Sequence, residues 1–381
     1  MPQNPKIAVT FFLPSLECGG TERNTINLIN ALPKEEYALS VLLAEKKGDF
    51  VKDVPAHVSL VSLEAPGLWS IFFLLAAYFK SRQADVFVCA FPRFNAVALL
   101  AKMVSGGKTK LVITEHLSFS LLSKNAKTAS HRFIARFLFP YFIAWFYPKA
   151  DAIICVSKGI ADEIGALTGR GAHISVIYNP VAEDKIGQLA QESVDHPWFA
   201  DASVPVIVMV ARLSKTKDQP TLFRALDIIA KKQPIRLALV GDGPEKQKLV
   251  DLARQLGLSE KIAFLGFQDN PYKYMKQAAV FVLSSLQEGF GNVIVEAMAC
   301  AAPVVATDCQ SGPAEIIQDG VNGLLVPVQD PEALAGAIMK VLHSPGLAKQ
   351  LSTEGIKRAE FFSVAKSVHE YEKVFTSLVN R

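Results

Sequence analysis

The 381-residue chain contains no C-x-x-C, no pair of histidines at metal-ligand spacing and no D-x-D. Its five cysteines (Cys18, Cys89, Cys155, Cys300 and Cys309) are odd in number and scattered. That usage argues against a disulfide framework or a structural zinc site, and for reduced, mostly buried thiols in a cytosolic chain. G-x-G-x-x-G is also missing, which disfavours a NAD-dependent dehydrogenase. There is no Gly/Ser or other low-complexity tract, and no apolar run near the roughly 20 residues that span a bilayer. The first apolar run, IAVTFFL, has seven residues and no basic segment before it. It reads as a first β-strand rather than a signal peptide.

Half of the residues are apolar and a fifth are charged, a composition that folds. At this length, two domains of about 150–200 residues are expected. The net charge of +4 is uneven, with 20 Lys/Arg against 15 Asp/Glu in residues 1–190 and 20 against 21 afterwards. From Lys102 to Arg136 seven basic residues, among them Lys124, Lys127 and Arg132, face one acid, Glu115. Such a run attracts anionic lipid, phosphates or nucleic acid, or is simply a solvated basic face. Two 12-residue runs, LWSIFFLLAAYF (68–79) and FLFPYFIAWFYP (137–148), are too short to cross a bilayer. They read as core helices or as aromatic, basic-flanked helices lying on a membrane surface.

Short, continuously apolar runs alternate with segments of helical period. KIAVTFF, ALSVLL, HVSLVSL, DVFVCAF, KLVITEH, DAIICVS and HISVIYN form one series, and PVIVMVA, IRLALVG, IAFLG, AAVFVLSS, APVVATD and GLLVPV another. Runs of this kind suit parallel strands buried on both faces, so the expected class is α/β with doubly wound sheets. Asn179-Pro180 interrupts the first series and the second starts at Pro205, which places a hinge near 179–204. The expected domains are 1–185 and 186–365, followed by a helix in 366–381 that packs back on the first domain. Ligands of open α/β sheets bind beyond the carboxyl ends of the strands, and a cleft between two such domains is the default site.

Three loops after strands stand out. Gly19-Gly20 precede a helix bearing Ile26, Ile29 and Leu32. They are either an ordinary turn or a place where helix-start amides meet a phosphate. Arg212 and Lys217 bracket a loop in ARLSKTKDQP, and two cations there suit a diphosphate. SSLQEGFGNVIVEAMA carries Glu288 and Glu296 with seven residues between them. Asn292 is expected to cap the helix carrying Glu296, with the amides of Phe290, Gly291 and Asn292 forming its positive end. Glu288 would precede that helix, so the two carboxylates reach different parts of one extended ligand. Read plainly, Glu288 is a cap and Glu296 a surface charge, but the apolar surround VIVEAMAC makes an unpaired carboxylate costly there.

Taken together, Gly19-Gly20, Arg212 with Lys217, and EGFGNVIVEAMA followed by PVVATD resemble glycosyltransferase family 4, in order and over nearly the whole chain. The resemblance implies the GT-B fold of two facing Rossmann-like domains, the first binding acceptor and the second nucleotide sugar. It also implies transfer with retention of anomeric configuration, without a metal or other cofactor. Glu288 would bind hydroxyls of the donor sugar and Glu296 the ribose. Arg212 and Lys217 would neutralise the diphosphate, and the amides of Phe290, Gly291 and Asn292 would line sugar and phosphates. Gly19 and Gly20 would approach the phosphates, and His116 in VITEHLSF would lie beside the sugar. Two positions depart from the family pattern: Lys217 is followed by Asp218 where glycine is usual, and Ala301 stands where glycine is common after EAMAC. The Asp would add negative charge near the phosphates.

DCQSGPAEIIQDGVNG also resembles enzymes building bacterial surface polysaccharides or lipid-linked oligosaccharides. The expectation is transfer of a hexose or N-acetylhexosamine from a UDP-sugar to a glycan or polyprenyl-linked acceptor. It includes peripheral contact with anionic membrane through 102–149 at the cytoplasmic face, and no nucleic acid. The alternatives are a non-catalytic nucleotide-sugar-binding partner protein or another GT-B enzyme, such as a nucleotide-sugar epimerase.

Overall fold

The structure, a computed structural model, describes residues 5–17, 19–65, 67–118, 138–169, 173–181 and 183–379. Lys124, Lys127, Arg132 and Arg136 of the basic run, and Cys18, lie outside the described residues.

The chain forms two compact units, which divide between Pro180 and Val181 and again between Ser363 and Val364. The first unit holds seven parallel strands in the order β3-β2-β1-β4-β5-β6-β7. They are β1 (Ile7–Leu13), β2 (Tyr37–Leu43), β3 (Ser59–Ser62), β4 (Val86–Ala90), β5 (Lys110–Glu115), β6 (Ala152–Cys155) and β7 (Ile174–Val176). The second holds six in the order β10-β9-β8-β11-β12-β13. They are β8 (Val206–Val210), β9 (Arg236–Val240), β10 (Ile262–Gly266), β11 (Val280–Leu283), β12 (Val304–Thr307) and β13 (Leu324–Val326). Each corresponds to one apolar run of the sequence. The central strands show why: all five residues of β4 and all four of β11 are buried. Burial on both faces removes the polar alternation of a half-exposed strand. In each sheet the strand order reverses once, between β1 and β4 and between β8 and β11, the arrangement that opens a ligand crevice at the strand ends.

Helices cover both faces of the first sheet. α1 (Gly20–Ala31) packs on the face of Val9, Phe11 and Leu13. On the other face α2 (Leu68–Ser81) brings Tyr78 to Thr10 at 2.7 Å and Phe79 against Phe87. α3 (Pro92–Ser105) adds Phe94 against Phe12 and Asn95 against Glu115. α4 (Phe139–Phe146) leads into Tyr147, whose hydroxyl also reaches Glu115. The two apolar runs are thus partly core and partly surface. α2 buries Ile71, Leu75 and Phe79 but leaves Trp69 79% and Phe73 65% exposed, while α4 leaves Trp145 73% exposed. α5 (Lys158–Thr168) follows β6 and is capped by Ser157.

In the second unit α6 (Gln219–Ala230) follows β8 and α7 (Asn292–Ala299) follows β11. The chain then returns to the first unit as α8 (Val364–Val379). α8 buries Val368, Tyr371, Phe375 and Leu378, one helical stripe. Phe375 meets Phe11 and Tyr37 edge-on, at ring distances of 6.4 and 6.1 Å.

Candidate functional site

In the second unit the loops after β8 and β11 meet at the point of strand reversal. Lys217 Nζ lies 2.5 Å from Glu288 Oε1, although the residues are 71 apart in sequence. Ser285 Oγ donates to the same carboxylate oxygen at 2.6 Å. The side chains of Lys217 and Glu288 are 21% and 10% exposed. So shielded a pair, with a further donor on the carboxylate, is a fixed element rather than a loose surface contact.

The backbone of the cationic loop is stitched from both sides. Leu213 N–H donates to Asp242 O, Leu286 N–H to Thr216 O, and Gln219 Nε2 to Arg212 O. The Arg212 side chain is exposed and forms no ion pair among the described residues. Asp218 takes left-handed backbone angles (φ 44°, ψ 47°), which explains why glycine suits this position. Its carboxylate accepts from Thr221 Oγ1 at 2.7 Å, so the charge that the sequence placed near the phosphates is spent inside the start of α6. Burial pushes this carboxyl up from the usual range.

Ala301 at φ 62° also occupies a glycine-favouring position. It closes α7 as the left-handed residue of a Schellman motif, with Ala302 N–H on Ala297 O and Ala301 N–H on Met298 O. Ala301→Gly is expected to raise the stability of the unit by about 1 kcal/mol, read by urea unfolding. Both departures from the family pattern are therefore backbone substitutions at glycine-favouring positions and remove no candidate ligand side chain.

One sequence expectation is corrected at α7. Asn292 is the first helical residue, not the cap. Gly291 is the cap residue at φ 98°, without a side-chain cap bond. The left-handed turn demanded by Gly291 shifts the helix start by one residue. Phe290 is 2% exposed and packs on Phe362, so it faces the site with backbone only. Glu288 precedes α7, and Glu296 lies half-buried one turn inside it.

His116, Gly19 and Gly20 belong to the first unit. His116 follows β5 and lines a water-sized cavity of about 20 Å³ with Asn24, Thr114, Asn179 and Tyr371. Thr114 Oγ1 donates its one proton to Cys89 O at 3.2 Å. Its contact with His116 Nε2, also 3.2 Å, therefore needs the proton on Nε2 and leaves Nδ1 as the acceptor. Burial pulls this imidazole down to about 4, so it is neutral at physiological pH. Gly19 is the extended cap residue of α1 and Gly20 its first residue. A side chain at Gly19 would strike the Glu22 carboxylate. That acid already sits at the positive end of α1, where the family resemblance implied a donor phosphate.

A buried cluster behind His116 escaped the sequence, which counted Glu115 only as a charge. Glu115 is fully buried; its Oε1 accepts from Asn95 Nδ2 at 2.7 Å and Tyr147 Oη at 2.5 Å, and Oε2 has no hydrogen-bond partner among the described residues. Burial raises this carboxyl to about 7. With the folded value above the unfolded one, its contribution to stability is present below about pH 4.5 and is lost as pH rises through 7. Between pH 5 and pH 8, the stability difference between Glu115→Gln and the parent should move in the variant's favour by about 1–3 kcal/mol. Denaturant titrations at the two pH values check this.

Residues 18–185 match the family described as Glycosyltransferase Family 4, and residues 192–358 that described as Glycosyl transferases group 1. The chain is 32% identical over 363 residues to N-acetylgalactosamine-N,N'-diacetylbacillosaminyl-diphospho-undecaprenol 4-alpha-N-acetylgalactosaminyltransferase of Campylobacter jejuni, covering 93% of this chain and 95% of the relative. A second Campylobacter jejuni relative, GalNAc-alpha-(1->4)-GalNAc-alpha-(1->3)-diNAcBac-PP-undecaprenol alpha-1,4-N-acetyl-D-galactosaminyltransferase, is 25% identical over 98% of this chain and 99% of its own. Among solved structures, Anabaena HepE in complex with UDP matches with a TM-score of 0.77 at 23% identity, covering 98% of this chain and 100% of that one. These findings agree with two parallel Rossmann-like sheets and with the motifs that surround Glu288. The chain belongs to glycosyltransferase family 4 and is a glycosyltransferase of the GT-B fold.

Proposed function

We propose that the protein moves a hexose or N-acetylhexosamine from a UDP-sugar to a lipid-linked saccharide, with retention and without a metal. The carrying observation is the Lys217–Glu288 pair at the strand reversal of the second unit, beside the start of α7. Lys217 and Arg212 supply cations for a diphosphate leaving group, and the amides at the start of α7 add partial positive charge. Glu288 offers a carboxylate to sugar hydroxyls and Glu296 one to the ribose. In the first unit His116 presents Nδ1 as a neutral acceptor to a substrate hydroxyl. The Campylobacter relatives, named for diphospho-undecaprenol substrates, support a polyprenyl diphosphate acceptor, and the UDP in HepE supports the base. The Asp218 and Ala301 departures from the family pattern leave every proposed ligand side chain in place.

The acceptor class implies a membrane, and the first unit supports contact with one. α2, α3 and α4 cover one sheet face, and their outer sides carry Trp69, Phe73, Met103, Val104, Tyr141 and Trp145, all exposed. Among the described residues no helix is long and apolar enough to cross a membrane. Aromatic outer stripes of this kind suit a helix layer lying at an interface.

A thermal-shift screen of nucleotide sugars, followed by transfer to a polyprenyl diphosphate saccharide with and without EDTA, tests the reaction. NMR of the product anomer tests retention. Stabilisation by UDP-sugars and EDTA-resistant transfer are expected; a donor panel without any shift would overturn the reading. Co-sedimentation with anionic vesicles should weaken in Trp69→Ser/Phe73→Ser, and with salt. No binding at low salt would remove the membrane part.

A further inference from the structure

Two adjacent serines close β11, and both are fully buried. A buried hydroxyl at the end of an otherwise apolar strand costs stability unless its proton has a partner. Ser284 Oγ gives its proton to the backbone of the cationic loop, at 2.9 Å from Lys217 O and 3.1 Å from Asp218 O. Ser285 Oγ donates instead to Glu288 Oε1. Its own carbonyl is held by Thr307 Oγ1 at 2.6 Å. Leu286 N–H then bonds Thr216 O at 2.9 Å. Three consecutive residues thus fix the Lys217 backbone and the Glu288 carboxylate relative to one another.

From this geometry we propose that Ser285 is a positioning residue for the Glu288 carboxylate and Ser284 a positioning residue for Lys217. The assignment rests on the reading of those two side chains as ligands of the donor sugar and the diphosphate. Lys217 serves two anions in turn. Without donor, its ammonium pairs with Glu288 Oε1; with donor, the diphosphate competes for it. Ser285 still donates to Oε1 when the ammonium turns away, so the carboxylate keeps its place and Oε2 is left to the sugar. Ser284 acts on the other partner, because it holds the carbonyls of Lys217 and Asp218, one on each side of the Asp218 Cα.

The two serines therefore have different signatures, although they are neighbours of equal burial. Ser285→Ala is expected to weaken UDP-sugar binding and kcat/KM for the donor by about tenfold or more, with UDP affinity changed less than about threefold. Ser285→Thr, which keeps the hydroxyl, should recover most of the loss. Ser284→Ala should weaken UDP and UDP-sugar together, because it loosens the diphosphate ligand. Calorimetry with UDP and a UDP-sugar, on variants whose folding is checked by circular dichroism, reads all of this. In a Glu288→Gln background, Ser285→Ala should add little.

Equal losses for UDP and UDP-sugar in Ser285→Ala, or no loss in either, would overturn the proposal. Glu288→Gln is the control for the underlying reading. If it shifts the UDP-sugar to UDP affinity ratio and Ser285→Ala does not, the positioning role fails alone. If Glu288→Gln leaves the ratio unchanged, the donor-site reading fails first.

Discussion

Lys217→Ala should lower transfer by about 10²–10³-fold and also lower the stability of the second unit by about 3 kcal/mol. The two losses have different causes. A leaving diphosphate gathers negative charge in the transition state, and an ammonium already turned to the bound diphosphate stabilises that charge. Removing it costs rate. The stability loss comes from Glu288, which is only 10% exposed and, among the described residues, would be left with Ser285 as its remaining side-chain donor. A buried carboxylate deprived of its cation is far worse placed than a neutral group of the same shape. The double variant Lys217→Ala/Glu288→Gln separates the effects: denaturant unfolding should return most of the way to the parent, while transfer stays low. A Lys217→Ala protein that transfers at the parental rate would remove this residue from the mechanism.

The architecture was largely legible from the sequence. Each of the thirteen apolar runs became a strand; the central ones are apolar throughout because both of their faces are buried, whereas the edge strand β3 alternates exposed and half-buried positions. The helix at Val364–Val379 announced itself by the stripe of Val368, Tyr371 and Phe375. Other features were hidden for physical reasons. Lys217 and Glu288 were each visible as candidates, but 71 residues separate them and only the strand reversal brings β8 beside β11. The Asn292 cap was misread because the positive φ of Gly291 is a backbone property that residue types merely permit. Asp218 looked like a misplaced charge until Thr221 appeared beside it. Ser285 and Glu115 gave no sequence signal. A serine or a glutamate at the end of an apolar run shows its purpose only when its partner is seen.

Glu288→Gln should reduce kcat/KM for the donor by about 10²–10³-fold and leave UDP affinity within about threefold of the parent. The amide preserves size and one acceptor oxygen. If that oxygen stays with Lys217 Nζ and Ser285 Oγ, the NH₂ takes the position of Oε2, and a sugar hydroxyl that donated to a carboxylate meets a donor instead. The loss then appears in ligands that carry the sugar and spares those that end at the diphosphate. The same variant decides how much chemistry Glu288 performs. A carboxylate that attacks the sugar carbon needs a free, nucleophilic oxygen and a second acid poised at the same centre. With donor bound, Oε1 keeps the Ser285 hydroxyl, which holds the carboxylate still and draws its electron density away, and Glu296, the other acid of the stretch, is assigned to the ribose rather than to the sugar carbon. Residual product from Glu288→Gln should therefore keep the parent's anomeric configuration, and added azide should give no glycosyl azide. Azide rescue with inverted product would make Glu288 the nucleophile and overturn its role as a holding group.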